Sequence, residues 1–168
     1  MEIRKINVSD AEAFLAMNHQ LDKETMYMLF EPGERKITVE QQQKMLEKLK
    51  ENPTSEIFVV DNQSGVLVGY LAFFGGQLNR NKHSGYIATG IIEKHRGQGL
   101  GKKLFQTMEE WAIEQKIERL ELTVMKNNLS ALHLYLKMGF EIEGVKRNSL
   151  KVNGELVDEY YMSKLLRA

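Results

Sequence analysis

Cysteine is missing from all 168 residues. Its absence removes disulfides, thiolate metal sites and a cysteine nucleophile together, and it fits a reducing compartment. An excess of charge is missing too, since Lys plus Arg and Asp plus Glu each number 23. No global field draws the chain to nucleic acid or to an anionic membrane, so an anionic ligand has to be held locally. No apolar run is long enough to cross a bilayer, and the opening MEIRKINVSDAEAF has no signal-peptide core. The expectation is a cytoplasmic protein without membrane or nucleic-acid partners. Repeats, low-complexity segments and linkers are also lacking, and the two prolines, Pro32 and Pro53, fall at breaks between patterned segments. What remains is 42% hydrophobic and 27% charged, the make-up of an ordinary globular chain, and residues 1–168 are expected to form a single domain with its own core.

MEIRKI alternates apolar and polar residues as a strand does, and Ser9 three positions before Glu12 reads as a capping box opening a helix toward Leu21. A second helix is predicted from about Val39 to Lys50, with Met45, Leu46 and Leu49 on one side. EIFVVD, the turn NQSG and VLVGYLAFFGG read as an antiparallel hairpin, followed by a strand in HSGYIATGII. Leu104, Met108, Trp111 and Ala112 recur at helical spacing between Leu100 and Lys116, and ERLELTV returns as a strand. A strand, a crossover helix and a strand make a parallel pair. Asn128 to Met138 is a short helix ended by Gly139, and the tail folds back on itself around Asn153-Gly154. The phenylalanines and methionines are all read as core.

The stretch HRGQGLGKKLF then raises a question of chemistry. Arg96, Gly97, Gln98, Gly99, Leu100 and Gly101 lie where a strand hands over to a helix N-terminus, whose free N–H groups favour an anion, and Lys102 and Lys103 add positive charge. The P-loop spacing fails, because Arg96 stands where a glycine is needed and Lys103 where Ser or Thr is needed. The dinucleotide fingerprint fails at Lys102, where its third glycine should be. Taken alone, the glycines either cradle a phosphate or merely shape a tight turn.

Further on, Asn128, Ala131, Leu134, Tyr135, Gly139 and Phe140 fall at fixed offsets across a helix and its cap. The pattern Arg-x-x-Gly-x-Gly at 96 to 101, followed by Asn-x-x-Ala-x-x-Leu-Tyr-x-x-x-Gly-Phe at 128 to 140, resembles the GNAT superfamily of acetyl-CoA-dependent N-acetyltransferases. The likeness extends from residue 3 to about 166, because the order of predicted strands and helices agrees as well. It implies a single mixed α/β domain with a mostly antiparallel, twisted sheet of about seven strands, one parallel splayed pair, and about four flanking helices.

For the chemistry, the resemblance implies that the amides from Arg96 to Lys102 cradle the pyrophosphate of coenzyme A and that the pantetheine lies between the splayed strands. Main-chain groups at Ile91 would pair with it, and a backbone N–H there would stabilise an oxyanion. Tyr135 matches the tyrosine that gives a proton to the departing thiolate, a role open to a phenol beside sulfur. Asn128 matches a cofactor contact and is equally a good N-cap on local grounds. No metal is expected. The general base stays open: Glu93, His83 and His133 are candidates that read more simply as surface or packing residues, and His95, beside the glycine loop, reads as a ligand contact or, more simply, as loop filling.

The acceptor implied is a small amine, an amino acid or a protein N-terminus, framed by the loop between the first two helices and the C-terminal hairpin. That loop carries Tyr27, Phe30, Glu31, Glu34 and Arg35. Carboxylates there would suit a polyamine and Arg35 a carboxylate-bearing amine, while a solvated charged turn explains them as well. A homodimer through a sheet edge or the C-terminal hairpin is a further expectation. The competing functional reading is a silent acyl-CoA-binding or protein-interaction module on the same fold.

Overall fold

The computed structural model describes residues 1–167. Along the chain run β1 (Glu2–Lys5), α1 (Ala11–Glu24), α2 (Val39–Lys50), β2 (Glu56–Asp61), β3 (Leu67–Gly75) and β4 (Ser84–Ile91). They are followed by α3 (Leu100–Glu114), β5 (Arg119–Met125), α4 (Leu129–Lys137), β6 (Glu141–Val152) and β7 (Glu155–Leu165). All seven strands join one sheet in the order β1-β2-β3-β4-β5-β7-β6, in which only β4 and β5 run parallel. Among the described residues no helix is long and apolar enough to cross a membrane.

Local chemistry sets the helix starts. The Thr38 hydroxyl accepts from the Gln41 amide at 3.1 Å while the Gln41 side chain accepts from the Thr38 amide at 2.9 Å, so α2 opens on a capping box. At α1 the expected box at Ser9 and Glu12 is replaced. Ser9 sits inside a short 3-10 turn, and the Asp10 carboxylate reaches back to the Asn7 amide at 2.7 Å. Arg4 explains the shift: its guanidinium holds Asp10 at 2.8 Å and Asp61 at 3.0 Å, tying β1, the turn and β2 together.

The two halves of the sheet are covered differently. Phe58, Val59, Val60, Leu71 and Phe73 are buried in β2 and β3, as continuous apolar strands between two layers of helix should be. On one face Trp111 of α3 stands edge-on to Phe58 and Phe73 at 5.7 and 5.6 Å. On the other, Phe14 of α1 meets Tyr70 edge-on at 5.5 Å. In β5, by contrast, Leu120, Leu122 and Val124 are buried while Arg119, Glu121 and Thr123 are only partly so. That alternation marks a strand with one face on the core and one toward water. α3 and α4 share the covered face, where Phe105 contacts both Tyr135 and Phe140 at 5.7 Å. The opposite face of β5, β7 and β6 is open.

Not every large apolar residue is core. Phe74, Met26 and Met45 are each about half exposed. Met45 falls on the outer side of α2, where Leu46 alone of the expected apolar trio is fully buried.

Candidate active site

The join between the two halves is where the sheet opens. β4 and β5 pair only at Ser84–Arg119, Gly85–Leu120 and Tyr86–Glu121. Past that rung β4 stays bonded to β3 as far as Gly69–Ile91, and β5 stays bonded to β7 as far as Met125–Glu159. Each wall of the resulting gap therefore keeps a neighbour that holds it rigid, while its inner edge has unused backbone groups. The Ile92 amide donates to Val68 at 2.9 Å on the β3 side. In an antiparallel ladder successive residues face opposite ways, so the main-chain groups of Ile91 point into the gap. The Ile91 carbonyl there accepts from the Arg96 side chain at 3.0 Å.

The glycine loop follows directly. Gly97 and Gly99 have φ of 74° and 77°, a left-handed backbone that favours glycine, and a Cβ at either would meet no atom within 4 Å. The turn geometry thus accounts for these two glycines, and the space above them is open. Gly101 has a different reason, because a Cβ there would come within 2.9 Å of Leu134, so its bareness lets α4 close on the first turn of α3. Among the described residues no protein acceptor takes the amides from Gly97 to Lys102, and the first returning bond is Lys103 to the Gly99 carbonyl at 3.1 Å. Leu100 is anchored in the core, whereas Lys102 and Lys103 are exposed or nearly so. A run of unpaired amides at the head of a 15-residue helix, with two lysines beside it, has the donors and the charge to accept an anion.

On the far side of the gap, Asn128 caps α4 by accepting from the Ala131 amide at 3.3 Å, so its local explanation holds. Tyr135, 8% exposed, packs its ring on Phe105 and Phe140. Burial first, and then the neighbouring Tyr70 and Tyr86 phenols, push its pKa above that of an ordinary tyrosine. Its hydroxyl makes no hydrogen bond to the described residues, and it stays protonated across the working pH range.

The base candidates scatter. Glu93 is exposed, with its amide donating to the Glu24 carboxylate at 2.9 Å. His83 precedes β4 at the end away from the glycines, and its carbonyl accepts from Glu118 and Arg119. His133 is exposed on α4. His95 is half-buried beside the loop, with Nδ1 buried and without a partner. Sequence reading missed the polar groups at the root of the gap: Tyr86, whose hydroxyl lies 2.9 Å from the Thr123 hydroxyl, and Glu121 beside them. For Glu121 and Thr123 the signal was the polar–apolar alternation of RLELTV; for Tyr86 there was none.

The loop between α1 and α2 reaches the far end of β5. Tyr27 donates to the Asn127 carbonyl at 3.3 Å, beyond the end of β5. Arg35 is not free: Nε and a terminal nitrogen donate to Asp22 at 2.8 and 3.0 Å, and the guanidinium lies 4.2 Å from the centre of the Phe30 ring. Asp22 is 1% exposed and Arg35 12%. The carboxylates of Glu31 and Glu34 face solvent.

The model of the acetyltransferase (GNAT) family matches residues 18–140, from α1 through α4. The chain belongs to the GNAT family. Among solved structures it superposes on a GNAT acetyltransferase from Streptococcus pneumoniae with a TM-score of 0.93 and 29% identity, over 98% of this chain and 99% of that one. YncA from Salmonella typhimurium, a putative acetyltransferase solved with acetyl-CoA, shares the GNAT fold at a TM-score of 0.86 and 17% identity, over 99% and 94% of the two chains. By sequence, the L-amino acid N-acetyltransferase AaaT of Escherichia coli K12 is 33% identical over 102 residues, which are 60% of this chain and 63% of that protein. The match thus spans somewhat less than two thirds of that relative.

Proposed function

We propose that the protein moves the acetyl group of acetyl-CoA to a primary amine. The observation that carries this is the gap between residues 87–91 and 122–125, ending at the outward amides of Gly97 to Lys102. A diphosphate on those amides places the rest of the cofactor along the gap, with the Ile91 main chain on one wall. Arg96, Gln98 and Leu100 contribute backbone within the cradle, and Asn128 shapes the opposite wall by fixing the start of α4.

In the reaction a neutral amine nitrogen attacks the thioester carbonyl, the C–S bond breaks, and the leaving thiolate gains a proton. A backbone N–H facing the gap stabilises the oxyanion that forms between these events. Tyr135 is the proton donor. Because burial holds its pKa above that of a thiol, complete transfer in a separate step is uphill. The phenol therefore acts while the C–S bond is breaking, as the sulfur's charge develops. The amine's own proton leaves toward the open sheet face, where water has access.

The test is acetyl-CoA-dependent thiol release over a panel of amines, for the wild type and Tyr135→Phe. The variant is expected to lose about 10²- to 10⁴-fold in kcat, the usual share of a general acid. Its binding of acetyl-CoA, read as a rise in Tm, should be unchanged. Full turnover in Tyr135→Phe removes the tyrosine from the mechanism, and acetyl-CoA binding without any turnover favours a silent acyl-CoA-binding module.

A further inference from the structure

The open face of the sheet holds a cavity of about 250 Å³ at the root of the gap. Tyr86, Arg119, Glu121, Thr123, Glu143 and Tyr161 line it. Tyr86 and Glu121 form the last rung before β4 and β5 part, so the cavity opens where the thioester is expected. Its one guanidinium is spent. Arg119 donates Nε to Glu121 at 2.8 Å and both terminal nitrogens to the Glu143 carboxylate. The guanidinium of the α1–α2 loop, Arg35, is spent on Asp22. No guanidinium at this site remains to read a carboxylate, and the lining carries two carboxylates against one guanidinium.

What the cavity does offer is suited to a cation. Glu121 and Glu143 keep nearly half of their side-chain surface exposed, as do the rings of Tyr86 and Tyr161. An ammonium already lies near one of these rings, since Lys146 Nζ is 5.6 Å from the centre of Tyr161. We infer that the acceptor is a small amine with a second ammonium and no carboxylate, anchored in this cavity by that ammonium while its other nitrogen, deprotonated, attacks. The inference rests on the acetyltransferase reading and sets this chain apart from its relative named for L-amino acids.

Substrate pairs that differ only by a carboxylate test it: cadaverine against lysine and agmatine against arginine, with pentylamine lacking the second ammonium. In thiol-release assays kcat/KM is expected to favour cadaverine over both lysine and pentylamine, and agmatine over arginine, by about tenfold or more. Glu143→Gln removes one carboxylate and releases part of Arg119, so it should narrow the cadaverine-to-lysine ratio while leaving the Tm rise with acetyl-CoA intact. A purely structural role for Glu143 would not move that ratio. Equal or better turnover of lysine and arginine, or a ratio unchanged in Glu143→Gln, overturns the inference and leaves acetyl transfer standing. Thiol release with none of these amines, although acetyl-CoA raises Tm, overturns the inference, and the transferase reading falls with it when the wider panel of amines and peptide N-termini also gives no turnover.

Discussion

Gly99 permits a test of the diphosphate cradle that separates backbone strain from charge. At φ 77° any side chain is strained, yet a Cβ meets nothing within 4 Å, so the strain comes without a clash. Gly99→Ala should therefore cost about 1–2 kcal/mol of stability, the left-handed penalty for one residue. In a chain of this size that lowers Tm by about 2–8 °C. Free and bound protein both carry the strain, so it cancels from the acetyl-CoA dissociation constant, which should stay within about threefold. Gly65→Ala is the matched control, since Gly65 has φ 81° and open space in the turn between β2 and β3.

Gly99→Glu adds a carboxylate on the same strained backbone. If it stands about 6 Å from a diphosphate of charge about −2, at an effective dielectric constant of about 40, the repulsion is about 2.8 kcal/mol. That is about 100-fold in Kd relative to Gly99→Ala, and it should shrink as salt is raised. Calorimetric titration of wild type, Gly99→Ala, Gly99→Glu and Gly65→Ala with acetyl-CoA at two ionic strengths measures it. If Gly99→Glu binds within threefold of Gly99→Ala at low salt, no diphosphate sits on these amides, and the glycines serve the turn alone.

Two further outcomes follow from buried groups. Asp22→Ala leaves the Arg35 guanidinium without its bidentate partner; breaking a buried pair costs about 3–5 kcal/mol, and the slight exposure of Arg35 puts the expected loss at the lower end. Urea unfolding should show the loss, and the KM for the amine should rise more than that for acetyl-CoA, because the pair anchors the α1–α2 loop. At high pH, burial raises the Tyr70 pKa from 10.0 to about 12 and that of Tyr135 in the same direction. A raised folded pKa gives stability that is whole below the unfolded pKa and is lost as pH climbs, here from pH 10 upward, with Tyr70 giving up roughly 2–3 kcal/mol by pH 12. Chemical denaturation between pH 9 and about 12 should show this decline, and Tyr70→Phe should flatten it.

Much of the architecture was legible because local signals agreed with burial. α2 runs from Val39 to Lys50, where its apolar spacing and the Asn52-Pro53 break say it should. The same rules misplaced the start of α1, because Asp10 answers to Arg4 and Asp61 as well as to its own helix, and the Asp61 contact is distant in sequence. Arg35 is the sharper case: as a sequence residue it looked available to a substrate carboxylate, and only the folded loop shows its fork closed on Asp22. The glycine loop and the Asn128-to-Phe140 pattern pointed to the family, since both motifs lie on continuous segments. Tyr86, Glu121 and Glu143 come from three different strands and carry no motif, so only their register brings them to one cavity.

The position of the site follows from how the sheet is covered. β2 and β3 have helices on both faces and read as unbroken apolar runs, whereas β5 alternates because only one of its faces is covered. Where the halves meet, parallel pairing requires a crossover, and α3 supplies it. Its N-terminus must then lie at the end of β4, beside the widening gap, whatever ligand is bound. The exposed helix N-terminus and the gap are thus one consequence of a single parallel pair in an antiparallel sheet. The open face at the same join is what leaves Tyr86, Glu121 and Thr123 accessible to solvent. Both walls keep their outer neighbours, so on the proposed function differences in acceptor should track residues of the open face and the α1–α2 loop rather than the gap itself.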